Sequence, residues 1–234
     1  MSRTHLLTIA AALCAAAPLH AEAPLLAVPG RVVYESTLAA APAAPWRAAK
    51  GKWEAAEGVL RGAELPEDKH GAVLRMMGPV GDNVVIEYQF RLLDGVKGTT
   101  ISINGVKDHV CRLMMTSKSF TVQKDDSDHD GPDKAIVFSR QAADLRPGEW
   151  HSVRMEIIGG QMLGKCGDLV GHGSHDLMAT KKMNLGFTVA GQSVEFRNLK
   201  ISEATLNPKW EEVKATLPKG KELPAPAKKG KKVE

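Results

Sequence analysis

Apolar and polar positions alternate along much of the chain, most clearly between Met183 and Ile201. Met183, Leu185, Phe187 and Val189 take turns with Asn184, Gly186 and Thr188, the period-2 pattern of a strand with one buried face. Ala190, Gly191, Gln192 and Ser193 read as a turn, and a second strand follows. In it Val194 and Phe196 share a face, whereas Leu199 and Ile201 have the opposite parity. A β-bulge near Arg197-Asn198 would return both to the core. The pair reads as the last hairpin of an all-β domain.

The same reading applied upstream gives a series of short strands. Arg31-Val32-Val33-Tyr34 is the first, and an Ala/Pro-rich connection from Leu38 to Pro45 follows. Residues 51–62 read as two strands around a Glu57-Gly58 turn. Further strands are expected at 71–76, 83–92, 97–103, 109–116, 118–123, 149–158 and 160–166, with Gly159-Gly160 as a hairpin signal between the last two. In 83–92, Ile86, Tyr88, Phe90 and Leu92 share one face, with Glu87, Gln89 and Arg91 on the other. Strands spaced about 8–12 residues apart, with no amphipathic helix between them, predict an antiparallel β-sandwich or jelly roll. One short helix closes the series at 205–217, with Asn207 as N-cap, Pro208 at the first helical position, and Trp210 and Val213 packing on the domain.

The ends of the chain differ from this body. Arg3, the apolar run Leu6 to Ala17 and the small residue Ala21 predict a signal peptide over 1–21, hence an exported protein, periplasmic or extracellular. Leu13 before Cys14 argues against a lipid anchor, and no other run is apolar enough for a membrane helix. The formal charge of +4 resides in the tail over 218–234, where six lysines face Glu222 and Glu234. Allowing for Arg3, the body 22–217 sums to about −1, so nucleic acid is not an expected partner. The tail, rich in Pro and Lys, is expected to be disordered. Cys111 and Cys166 would either pair or remain two buried thiols, and no C-x-x-C spacing supports a zinc ribbon or c-type haem.

Trp46, then Gly51-Lys52-Trp53-Glu54 and Glu57-Gly58-Val59-Leu60, form a G-x-W-x-x-x-x-G-x-L pattern. Tyr88-Gln89-Phe90-Arg91, Gly148-Glu149-Trp150-His151 and the closing Val194-Glu195-Phe196-Arg197-Asn198-Leu199-Lys200-Ile201 follow in order. From Tyr34 to Ala204 this order resembles the 3-keto-disaccharide hydrolase-like family, a jelly roll related to concanavalin A-like lectins and glucanases. The resemblance implies a carbohydrate-directed domain over 22–204. Two places depart from the family pattern. Gln89 stands where an acidic residue is common, with Gly95-Val96-Lys97-Gly98-Thr99 in place of an Asn-Ser-Gly turn. Phe187-Thr188-Val189-Ala190-Gly191 replaces a Leu-Gln-x-His-Gly stretch. Both would line the concave sheet.

Three constellations could carry chemistry. Asp126, Asp128 and Asp130 alternate before Gly131, an arrangement that gathers oxygen ligands around Ca²⁺ or another divalent metal, with Asp125 and Asp133 nearby. Val137 stands where an EF-hand would need its Glu, so the alternative is a solvated acidic loop. Gly171-His172-Gly173-Ser174-His175-Asp176 reads as a Gly-rich loop in which His175 could act as a base oriented by Asp176, or the two histidines could hold a metal, or simply be exposed. The polar sheet face is the third. Glu87 or Glu156, with His151 or His175, would supply acid and base for hydrolysis of 3-keto-glycosides or related glycosides. Gln89, Arg91, Arg112, Arg154 and Arg197 would hold the sugar, and cross-strand ion pairs would give the same pattern. The expected functions are therefore glycan binding, glycoside hydrolysis, or an extracellular scaffold.

Overall fold

The structure, a computed structural model, describes residues 23–78, 80–107, 109–126 and 131–224. From the N-terminus come β1 (Ala27–Ser36), β2 (Trp46–Lys50), β3 (Lys52–Ala56), β4 (Val59–Ala63) and a 3₁₀ turn at Pro66–Asp68. Then follow β5 (Ala72–Met77), β6 (Val84–Leu92), β7 (Val96–Asn104), β8 (His109–Thr116), β9 (Ser119–Lys124) and β10 (Ile136–Ala142). The chain continues through β11 (Trp150–Ile158), β12 (Gln161–Cys166), β13 (Leu169–Ser174) and a second 3₁₀ turn at Asp176–Ala179. It closes with β14 (Asn184–Gly191), β15 (Ser193–Leu206) and α1 (Trp210–Thr216).

These strands form two antiparallel sheets. The first has the order β13-β12-β11-β6-β15-β4-β3, with β1 on the far half of β15; the second runs β10-β9-β8-β7-β14-β5-β2. Alternation decides which residues meet between them: Ile86, Tyr88 and Phe90 from the first sheet pack on Leu74, Ile101, Leu113 and Phe187 from the second. At the centre Phe187 and Phe196 stack at 4.6 Å, and Trp46 lies on Phe187 at 5.7 Å. The expected bulge is present. The β15–β6 register shifts between Arg197 and Lys200, Asn198 takes φ 55°, and Leu199 and Ile201 return to the core. The early hairpin turns at Glu57-Gly58, both with positive φ, which fits the twist of its flanking strands.

Several elements differ from the sequence reading. β2 and β10 were not expected as strands, and β13 occupies the stretch read as a His-Gly loop. Its glycines answer to close packing across the sheets. A Cβ on Gly173 would lie 2.1 Å from the Phe138 ring, and one on Gly171 2.7 Å from Ser139. The helix is shorter than 205–217 because β15 runs to Leu206. Asn207 still organises its start, since its Oδ1 accepts from the Lys209 N–H at 3.0 Å and its Nδ2 donates to the Leu25 carbonyl at 2.7 Å.

Trp210 of α1 joins Leu26, Val85, Ile158, Leu163 and Val170 in a smaller apolar cluster on the outer face of the first sheet. The N-terminal segment and the helix thus cover one end of that face. After the helix the chain lies along β10: the Ala142 N–H donates to the Lys221 carbonyl and the Leu223 N–H to the Arg140 carbonyl, both at 2.7 Å. Tail disorder was expected from 218, but these bonds and Glu222 contacts to Ser139 and Arg140 hold the chain to Pro224. The remainder of the tail and the expected signal peptide lie outside the described residues. No helix among those described is long and apolar enough to cross a membrane. Cys111 on β8 and Cys166 on β12 are separate buried thiols, and burial pushes Cys166 up to about 12 and Cys111 higher still.

Candidate functional site

Alternation places the polar residues of β6, β11 and β15 on the outer face of the first sheet. Gln89, Arg91, Arg197 and Glu195 do share this face, as the register Arg197–Gln89–Ser152 and Glu195–Arg91–Trp150 requires. Glu195 is buried between two arginines, with Arg61 Nη2 at 2.6 Å and Arg91 Nε at 2.7 Å. Burial alone would raise its carboxyl, but the hydrogen bonds and charges of Arg61 and Arg91 outweigh that and hold it below the usual glutamate value. The Arg197 and Arg91 guanidinium groups lie over the Trp150 ring at 3.9 and 4.8 Å. Gln89 accepts from Arg197 at 2.7 Å and donates to Ser152 at 3.1 Å.

Further along this face, Arg154 donates to Glu156 and to Glu87, and Lys200 also pairs with Glu87 at 3.3 Å. Glu156, expected as an acid or base, is fully buried under the N-terminal segment, where its Oε2 accepts from the Ala27 N–H at 2.8 Å. Burial raises its carboxyl against the opposing pull of Arg154 and the backbone N–H groups. The pair therefore fastens the start of β1 to the sheet and is not open to a substrate. Glu87 is partly exposed but held by two cations.

The other expected residues do not converge on this face. His151 has the opposite parity on β11, and its ring meets Phe90 at 5.4 Å. His175 caps the second 3₁₀ turn, its Nδ1 accepting from the Leu177 N–H at 3.1 Å. His172 faces Trp210 edge-on at 5.6 Å, and burial, then Lys214, lower its pKa. Asp128 and Asp130 lie outside the described residues. Of the two nearby aspartates, Asp125 accepts from Arg112 at 2.6 Å and from Gln123 at 2.8 Å, while Asp133 pairs with the buried Lys124. No group of three or more potential metal ligands occurs among the described residues. Arg112 lies on β8, in the second sheet, so topology separates it from the other arginines with which it was grouped.

The outer face of that second sheet has a different construction. Its two middle strands present only small or amide side chains: Asn184, Gly186, Thr188 and Ala190 on β14, and Gly98, Thr100, Ser102 and Asn104 on β7. On one side β5 carries Val73, Arg75 and Met77; on the other β8 carries Arg112 and Met114. Long side chains flanking short ones make a trough. Arg75 and Arg112 stand three strands apart, roughly 14 Å, and the floor from Asn184 to Ala190 runs for roughly 20 Å. Gly186 lets Ser102 and Arg75 approach its strand closely, since a Cβ there would meet Ser102 Oγ at 3.1 Å and Arg75 Cγ at 3.9 Å. At one end Asn104 donates to Asn184 at 2.6 Å, and His109 Nδ1 lies 2.6 Å from Asn104 Oδ1. Such fixed amides, hydroxyls and an Arg112–Asp125 pair suit a polyhydroxylated ligand.

The sequence reading singled out Arg112 but not Arg75, Ser102, Thr100 or Thr188, although their outward parity in the predicted strands was a usable signal. Of the two departures from the family pattern, Gln89 stands on the first sheet, whereas the stretch from Gly95 to Thr99 leads into β7 and lies beside Phe187 to Gly191 in the second. Gln89 faces out of the first sheet, and Thr188 with Ala190 faces out of the second.

No family model matches the chain, and no curated protein does. Solved structures share its architecture. The carbohydrate-binding module CBM66 from Bacillus subtilis is 14% identical with a TM-score of 0.51, over 68% of this chain and 96% of that one. SCLam, a non-specific endo-β-1,3(4)-glucanase of family GH16, gives 12% and 0.56, over 77% and 95%. A β-glucanase from Bacillus licheniformis gives 6% and 0.55, over 74% and 99%. At these identities the likeness is one of fold, and the fold is the concanavalin A-like jelly roll.

Proposed function

We propose that this chain is a carbohydrate-binding jelly roll whose glycan lies in the trough of the second sheet. The observation that supports this most is the trough itself, a floor of small hydroxyl and amide side chains between walls bearing Arg75 and Arg112. The fold shared with a carbohydrate-binding module and with glucanases agrees with this reading. Hydrolysis, including that of 3-keto-glycosides, has less support. Acid–base cleavage of a glycosidic bond uses two carboxyl groups roughly 5–9.5 Å apart. None of the described strand residues facing out of the second sheet is acidic, and Asp125, directly after β9, is held by Arg112 and Gln123. Glu195, Glu87 and Glu156 of the first sheet are tied to arginine and lysine. We take the protein to act outside the cytoplasm, as its N-terminal pattern suggests.

The test is binding of the purified protein to a panel of polysaccharides by affinity electrophoresis, with Thr100→Tyr and Thr188→Tyr filling the trough. Retardation should fall at least about tenfold in both variants, since a blocked site forfeits more than the 1.4 kcal/mol that a factor of ten represents. Unchanged retardation in both, with the fold intact by circular dichroism, would remove the trough as the site. A parallel incubation with 3-keto-glycosides should release no free sugar. Release abolished by Glu87→Gln would establish the hydrolase reading instead.

A further inference from the structure

Charge on the molecule is segregated in a way that the overall balance conceals. The body sums to about −1, yet the described strands of the second sheet turn Arg47, Lys50, Arg75, Arg112 and Arg140 outward and no acidic residue, with Asp125 directly after β9. Asp125 neutralises Arg112, and Arg140 donates to the Pro224 carbonyl at 2.6 Å. Among the described residues Arg47 and Arg75 have neither kind of partner. They are opposed residues in the β2–β5 register, both exposed, and neither forms an ion pair among the described residues. Their direction is fixed, because Trp46 on one side of Arg47 stacks on Phe187 in the core and Leu74 and Met76 flank Arg75 inward. Like charges directly opposite one another across two strands are unfavourable. An anion between them would turn that repulsion into a two-pronged clamp, since each guanidinium can fork onto a carboxylate or a sulfate ester.

The position of the clamp matters as much as its charge. Arg75 pairs in register with Gly186, and Gly186 with Ser102, so the anion would sit at the lip of the trough, in line with the small residues of its floor. We infer that the glycan is acidic, and that Arg47 and Arg75 together hold a carboxylate or sulfate ester on one of its sugars while the ring lies over Gly186 and Ser102. This inference rests on the trough as the binding face.

The experiment compares polygalacturonate, its fully methyl-esterified form, dextran sulfate and an uncharged β-glucan, using the wild-type protein, Arg47→Ala, Arg75→Ala and Thr188→Tyr. Methyl esterification removes the charge and keeps the sugar, and the two anionic polymers distinguish a carboxylate from a sulfate. The expected result is preference for one anionic polymer over the neutral pair, reduced roughly tenfold or more by either arginine substitution. Binding should also weaken with added salt, less steeply in the arginine variants. Equal binding of the methyl ester, or no effect of either arginine substitution, would overturn the inference. So would equal competition by single-stranded DNA of matched charge, which would make the face a general polyanion surface. If the neutral glucan binds and only Thr188→Tyr abolishes it, the trough stands and the acidic ligand falls. Failure of every polymer to bind would reject the trough as well.

Discussion

The outer faces of the two sheets use similar residues to opposite ends. On the first, Glu195, Glu87 and Glu156 each bind at least one cation, and the N-terminal segment and α1 cover one end. On the second, five basic residues face outward from strands that among the described residues present no acidic side chain there, and the centre is floored by Gly186, Ser102, Thr100 and Thr188. A charged sheet face is thus not in itself a binding surface. What distinguishes the two is whether the charges already have partners, because satisfied groups lose their water and their hydrogen bonds when a ligand displaces those partners.

This contrast can be broken by mutation. The largest effect is expected at the buried Arg154–Glu156 pair. Glu156→Ala leaves a guanidinium and the Ala27 N–H without their acceptor, and should cost about 3–5 kcal/mol, measured as a lower urea midpoint at unchanged slope. Glycan binding by the molecules that remain folded should be unaffected.

The two buried carboxylates of the first sheet should respond to pH with opposite signs. Glu195 is held below the ordinary glutamate value of about 4.3, so its stabilisation is complete above that value and is lost as pH falls through the lower folded one. Glu156 is raised, so its charged form opposes folding increasingly as pH rises from the ordinary value through the folded one. Between neutral and acid pH, Glu195→Gln should therefore flatten the decline in stability, and Glu156→Gln should steepen it. Parallel curves for the two variants in a urea titration across pH would contradict this assignment.

Smaller effects sharpen the comparison. The Tyr88 hydroxyl is buried without a hydrogen-bond partner among the described residues, so Tyr88→Phe should raise stability by about 1 kcal/mol. Arg75→Ala, on the open face, should change stability by no more than about 0.5 kcal/mol while removing the anion preference. A large loss of stability from that substitution would mean that Arg75 has a structural role on its own sheet.

The fold was legible in the sequence where burial on one side imposes alternation, as in Ile86 to Leu92 and Met183 to Val189, and even the Arg197-Asn198 bulge showed as a change of phase. β2 gave no such signal because, as an edge strand, it buries little beyond Trp46, and its remaining residues are exposed. β13 resembled a loop because its glycines accommodate Phe138 and Ser139 from the other sheet, a contact no local pattern reveals. For the site, parity correctly set Gln89, Arg91 and Arg197 on one polar face. Parity cannot say which sheet a strand joins, and so Arg112 was grouped with residues on the far side of the sandwich. Nor can it supply register, without which Arg47 and Arg75 are two ordinary surface arginines and not an opposed pair.

The segment that lies along β10 has a bearing on how this protein behaves at high concentration. An end strand offers its free N–H and C=O groups to any other chain that can extend beside it, which is how edge-to-edge aggregation begins. By pairing with Arg140 and Ala142, Lys221 and Leu223 occupy that row from within the same molecule. A chain cut after Leu217 should keep its sandwich yet associate with other copies through the bared edge.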